Sequence, residues 1–191
     1  LPVDKVVANA DDPLVVWAAH GVDADARVFV AMGNRWTLDA AGCPACSGRI
    51  RFDDDGWACA DCDLARPDPD VWIETDPEPA IVGRTGWRET VQLGLPGVIN
   101  LANAAIVVAA GETMGGDRGA MADAVALYEV VAGRYRRAEI GDVSVRMLLA
   151  KNPAGWQEAI DMLEPAPQPV VAAINTRIAD GRDPSWLWDI P

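Results

Sequence analysis

The chain has 191 residues, half of them apolar, enough for one large domain or two small ones with a real core. Its 29 acidic residues outnumber 16 basic ones, and a net charge of −13 without a Lys/Arg cluster argues against nucleic acid as a partner. The longest apolar stretch, residues 99–110, is too short to span a bilayer and contains two asparagines, so no transmembrane segment is expected. No stretch has the build of a signal peptide, and a cytoplasmic location is the default expectation. The first residues (LPVD) and the last (DIP) lack the character of natural termini, so a segment of a longer protein is expected.

Residues 5–9 (KVVAN) form a short apolar run that ends at Asp11-Asp12-Pro13, which predicts a buried strand, an acidic turn and a helix over 14–20 opened by Pro13. Asp11 and Asp12 suit either a cation or ribose site at a strand's carboxyl end or the capping of that helix, and capping is the preferred reading. His20, the only histidine, is placed to cap the helix's C-terminus, and one histidine leaves little scope for His-based catalysis within the chain. Residues 27–31 (RVFVA) predict a second buried strand, which leads through 33–36 (GNRW) to the cysteines.

All four cysteines lie in residues 41–67, as Cys43-Pro-Ala-Cys46 and Cys59-Ala-Asp-Cys62 with twelve residues between the pairs. Two Cys-x-x-Cys turns in one short segment suit tetrahedral zinc, each turn aiming two thiolates at one metal. The segment between them alternates and carries an Asp-Gly turn, which predicts a β-hairpin holding the two turns together. Two disulfides would need an oxidising compartment, a redox Cys-x-x-Cys usually comes singly, and unpaired buried thiols would not fall into matched pairs. Cys43, Cys46, Cys59 and Cys62 are therefore the expected zinc ligands. Four thiolates leave no open coordination position, so the zinc is structural.

Beyond the cysteines, residues 66–70 (RPDPD) form a stiff exit, 71–74 a strand and 75–79 a Pro-rich acidic loop. Residues 80–82 and 89–95 are expected to pair antiparallel and to end at Pro96-Gly97. The period then turns helical over 99–110, with Asn100 and Asn103 three apart on one face, as caps or as ligand-reading amides. A second amphipathic helix is predicted over 121–131, followed by a Gly-Arg linker at 133–138. A strand over 143–149, a loop, a helix over 156–163 and a strand over 170–174 predict one βαβ crossover of a parallel sheet. The polar, Trp-bearing tail at 175–189 follows that crossover, where α/β sheets place ligands, or it is a solvated loop that starts a helix at Pro184.

Several stretches together resemble the MurT family, the Mur-ligase-like subunits of lipid II isoglutaminyl synthase. They are residues 9–13 (NADDP), 95–105 (LPGVINLANAA), Gly133-Arg134, 151–156 (KNPAGW) and 179–189 (ADGRDPSWLWD), with the cysteine quartet. The resemblance covers nearly the whole chain. It implies an α/β fold: residues 1–134 as the later part of a Mur-ligase-like central ATPase domain, with a zinc ribbon at about 41–67, and 135–191 as the first part of a Rossmann-like C-terminal domain.

The resemblance further implies an ATP-dependent carbon–nitrogen ligase of peptidoglycan and cell-wall biosynthesis. ATP and Mg²⁺ activate the α-carboxylate of D-glutamate in lipid II, and a GatD-type glutamine amidotransferase partner delivers ammonia to give D-isoglutamine. By residue, Asn100 and Asn103 match the Asn-x-x-Asn beside the adenine, Arg134 the linker arginine near the nucleotide, and Lys151 a nucleotide-side position. Acidic residues that precede that position in Mur ligases are replaced here by Met147, Leu148 and Leu149. An aspartate of the C-terminal domain completes the partner's Cys-His pair into a triad. Asp180, Asp183 and Asp189 lie in the matching stretch, Asp183 is favoured, and Asp189 is a close second. A Gly-x-x-Gly-Lys-Thr phosphate loop is absent from the 191 residues, so this stretch alone is not expected to hydrolyse ATP. The alternative is a zinc-stabilised, non-catalytic interaction module.

Overall fold

A computed structural model describes residues 4–33, 37–54, 56–129, 135–163, 169–175 and 185–189. These residues divide into two compact units, within Leu1–Leu93 with Val98–Leu127, and within Gly94–Gly97 with Tyr128–Pro191. The first unit is a mixed α/β structure. Strands β1 (Val6–Asn9), β2 (Arg27–Ala31) and β5 (Val71–Glu74) run parallel, and β6 (Ala80–Gly83) and β7 (Arg88–Thr90) continue the sheet antiparallel, in the order β1-β2-β5-β6-β7.

Parallel neighbours require crossovers. Between β1 and β2 the crossover is α1 (Pro13–Ala19). Asp12 caps it by accepting N–H bonds from Leu14 (2.8 Å) and Val15 (3.2 Å), Pro13 opens it and His20 closes it, as the sequence predicts. Between β2 and β5 the crossover is the cysteine segment itself. It contains an antiparallel hairpin of β3 (Ile50–Asp53) and β4 (Gly56–Cys59), and an Ala58–Ala65 bridge adds a third short edge.

A parallel sheet must be covered on both faces. Helix α2 (Val98–Thr113) covers one, and its Leu101, Ala104, Ala105, Val108 and Ala109 pack with Val30, Val71, Ile81 and Val91. Helix α3 (Arg118–Ala126), capped by Asp117, packs beside it through Ala122. Because successive strand residues point to opposite faces, Phe29 turns away from Val30. It joins a separate cluster of Val16, Cys43, Ile50, Trp57 and Leu64, so α1 and the cysteine segment cover the second face.

Three expectations are corrected. The strand after residue 83 is only Arg88–Thr90, because Val91 turns inward to the core and donates its N–H to the Pro79 carbonyl (2.9 Å). The linker reading of 133–138 gives way from residue 135 onward, where β8 (Tyr135–Ile140) pairs antiparallel with β9 (Val143–Leu148) around Gly141 at φ +61°. The βαβ reading also fails among the described residues: β9 finds its partner in β8, and residues 170–174 form no strand. Helix α4 (Pro153–Asp161) does form, capped by Asn152, which accepts the Gly155 N–H at 2.8 Å.

Candidate metal centre

The first cysteine turn is closed by the Cys43 N–H to the Gly48 carbonyl (2.7 Å) and the Ser47 N–H to the Cys43 carbonyl (2.8 Å), with Ser47 in the left-handed region at φ 64°. The second is tied to the hairpin by the Cys59 N–H to the Leu64 carbonyl (2.8 Å). Each turn also aims an amide at sulfur: Gly48 N–H at Cys46 Sγ and Asp61 N–H at Cys59 Sγ, both at 3.4 Å. The hairpin faces the two turns to each other, with Cys43 Sγ 3.7 Å from Cys62 Sγ and Cys46 Sγ 3.5 Å from Cys59 Sγ.

All four sulfurs lie within 4.8 Å of one another. Four sulfurs held at about 2.3 Å from one tetrahedral zinc would lie about 3.8 Å apart. The residues present therefore fit a single four-coordinate ion. Burial pushes the Cys43 thiol up, but the amides of Ala45 and Cys46 and the sulfurs of Cys59 and Cys62 outweigh it and bring the group down to about 7. At Cys46 the Gly48 amide lowers the thiol, yet the sulfurs of Cys62 and Cys59 push it up to about 12. One sulfur in the quartet thus gives up its proton readily while another resists. A cation at the centre would stabilise all of them as thiolates.

Two contacts, one buried and one part-buried, join this centre to the sheet. The Trp57 indole N–H donates to the Ala10 carbonyl (3.0 Å), and Arg66 Nε donates to Asp11 Oδ1 (2.6 Å). Asp11 is only 5 % exposed, and its other carboxylate oxygen accepts the N–H groups of Met32 (2.6 Å) and Gly33 (2.7 Å). The acidic pair therefore divides its work: Asp12 caps α1 as expected, and Asp11 fastens strand ends to the ribbon. Sequence reasoning missed the Asp11–Arg66 pair, since no pattern links residues 55 positions apart.

The remaining predicted residues fall on several different elements. Asn100 is half-buried in the first turn of α2, and Asn103 is exposed one turn on. Lys151 is exposed just before α4, and Asp189 is exposed at the end of a 3₁₀ turn, Ser185–Asp189. Arg134, Asp180 and Asp183 lie outside the described residues. A cavity of about 280 Å³ opens between Asp11, Gly33, Arg66 and the hairpin, and Asn100 and Asn103 do not line it. A second, of about 70 Å³, lies beside Lys151, Trp156 and Asn175 and has room for a few waters rather than a nucleotide. Among the described residues, the cysteine quartet is the one group of three or more His, Cys, Asp or Glu side chains that could share an ion, so no ligand set for Mg²⁺ is found there. No helix among them is long and apolar enough to cross a membrane.

A family profile described as MurT ligase C-terminal matches residues 149–191. The subunit MurT of lipid II isoglutaminyl synthase (glutamine-hydrolyzing) from Streptococcus pneumoniae (strain ATCC BAA-255 / R6) is 31% identical over 206 residues, covering 99% of this chain and 46% of that protein. The chain thus spans about half the length of the curated relative it matches. A solved UDP-N-acetylmuramoyl-L-alanyl-D-glutamate–2,6-diaminopimelate ligase aligns over 83% of this chain and 28% of its own, at 18% identity and a TM-score of 0.48. The chain is thus similar to MurT along nearly its whole length, and its C-terminal stretch matches the MurT C-terminal profile.

Proposed function

We propose that this chain forms part of the ligase subunit of a lipid II isoglutaminyl synthase, which amidates the α-carboxylate of D-glutamate in the peptidoglycan precursor. The observation that carries the reading is the 31% identity to a MurT subunit across 99% of the chain, including the cysteine segment and the C-terminal stretch. A carboxylate resists attack by ammonia until one oxygen becomes a leaving group. In the proposed reaction ATP transfers its γ-phosphoryl group to that oxygen, ammonia attacks the carbonyl carbon, and phosphate departs with the amide left behind. The phosphoryl step is assigned to parts of the subunit other than these 191 residues, because they hold no phosphate loop.

Within the chain we assign Asn100 and Asn103 to the adenine end of the nucleotide, and Arg134 and Lys151 to positions beside it. The cysteine quartet holds one structural zinc; when bound, the ion supplies cross-linking of the ribbon and no open position for substrate. Ammonia comes from glutamine through a GatD-type partner, whose Cys-His pair receives its orienting carboxylate from Asp183 or Asp189.

The test is the partner's glutaminase rate with and without the zinc-loaded full-length protein, in wild type, Asp183→Asn and Asp189→Asn. Stimulation by wild type, abolished by one of the two variants with its melting temperature unchanged, is the expected result. A folded, zinc-loaded protein that neither binds nor stimulates the amidotransferase refutes the subunit assignment and leaves a zinc-stabilised interaction module.

A further inference from the structure

Asp11 stands where three segments meet: the carboxyl end of β1, the backbone just after β2, and the exit of the cysteine ribbon. Its side chain is nearly enclosed, and one of its oxygens receives the Arg66 guanidinium, itself only 22% exposed. The other holds the N–H groups of Met32 and Gly33. Arg66 is fixed in turn by the ribbon. Its N–H bonds to the Trp57 carbonyl at 2.8 Å, next to the Ala58–Ala65 bridge and the Cys59–Leu64 hydrogen bond. Gly56, at φ +137°, leaves the space that Arg66 occupies, since a Cβ there would run into the arginine's Cδ.

We propose that Asp11 is a positioning residue through which metal loading of the ribbon sets the carboxyl edge of the parallel strands β1 and β2. The inference rests on the metal reading above. Without a metal the two cysteine turns are joined through the hairpin's backbone pairing and not through their sulfurs, and the register that carries Arg66 is loosened. A buried carboxylate that loses the Arg66 guanidinium is less well compensated where it lies, and its hold on the two amides loosens. The edge it holds is the edge at which α/β sheets place their ligands. The ribbon is then a support for that edge as well as a cover for the sheet.

Amide hydrogen exchange on the full-length protein tests this, after bound zinc has been counted. A chelator should accelerate exchange at the ribbon amides and at Met32 and Gly33, by about ten- to a hundredfold at the latter pair. In zinc-loaded Arg66→Ala the Met32 and Gly33 amides should accelerate likewise, while the Cys43 and Cys59 amides stay protected. Arg66→Lys, which keeps the charge and most of the stem, should restore part of the protection.

If the chelated protein also loses protection at Ile81 and Val108, the metal's effect is global and the zinc-loaded Arg66 variants decide. Met32 and Gly33 amides that exchange at the wild-type rate in zinc-loaded Arg66→Ala overturn the proposal. So does a chelated protein in which only ribbon amides accelerate. A protein that binds no zinc refutes the metal reading instead, and the Arg66 variants still report whether Asp11 holds the edge.

Discussion

On one face of the five-stranded sheet, α2 lays Leu101, Ala105 and Val108 over Val30, Val71 and Ile81. On the other, Val16 and Phe29 meet Ile50, Trp57 and Leu64 of a ribbon whose two ends are cysteine turns. The first cover is a helix with its own hydrogen-bond ladder and a continuous aliphatic face. The second is a two-stranded hairpin with few large apolar side chains, and such a hairpin is marginal in water by itself. The second face is the one whose four cysteines could share a metal ion. A metal cross-link there would supply what the ribbon's small core does not, and Trp57 and Arg66 join the ribbon to the sheet.

The sharpest way to break this comparison is to remove the metal. Chelation, or Cys43→Ser, should expose Trp57 and destabilise the first unit by upwards of about 4 kcal/mol, as loss of a structural metal does. Intrinsic tryptophan fluorescence and thermal unfolding, with zinc counted in parallel, read the effect. An apo protein as stable as the loaded one would put the two faces on equal terms. Ile81→Ala attacks the aliphatic face, where the side chain is fully buried. It should cost about 2–5 kcal/mol in denaturant unfolding and leave zinc stoichiometry unchanged.

The smallest effect is expected away from both faces, where Arg88 and then Trp72 hold the Glu74 carboxyl below the usual carboxylate range. A lowered folded value means stability that is present above the unfolded carboxylate value and lost as pH falls through the folded one. Both side chains are more than a third exposed, so solvent screens the pair. Glu74→Gln should therefore flatten a shallow acid limb of the melting profile and change little at neutral pH.

Much of the first unit was legible because its signals are local. The apolar runs at 5–9 and 27–31 are parallel strands, half-buried along most of their length, the Asp-Pro step opens α1, and the cysteine spacing with an Asp-Gly turn marks the ribbon. What was not legible depends on partners far away in sequence. The Asp11–Arg66 pair is one case. Residues 170–174 are another: they are as apolar as the true strands, but a strand needs a neighbour, and none pairs with them among the described residues. The β8–β9 hairpin had a readable signal in Gly141-Asp142 between two alternating runs, and the basic 133–138 stretch obscured it.

The two units differ in the same sense. Among its described residues the second has no fully buried side chain, while the first has two distinct clusters. The stretch that matches the MurT C-terminal profile lies in the second. Of the proposed site residues, Lys151 and Asp189 are exposed on or beside short elements of the second unit, while Asn100 and Asn103 lie on α2 of the first.

The most direct test of the proposed function is to follow the stem-peptide carboxylate itself. Zinc-loaded full-length protein, its glutamine amidotransferase partner, ATP, glutamine and lipid II would be incubated together and the stem peptide analysed by mass spectrometry. Conversion of the D-glutamate α-carboxylate to a carboxamide, dependent on both ATP and glutamine, is the predicted result. Glutamine hydrolysis with no carboxamide formed, from a folded complex supplied with ATP, would contradict the ligase assignment.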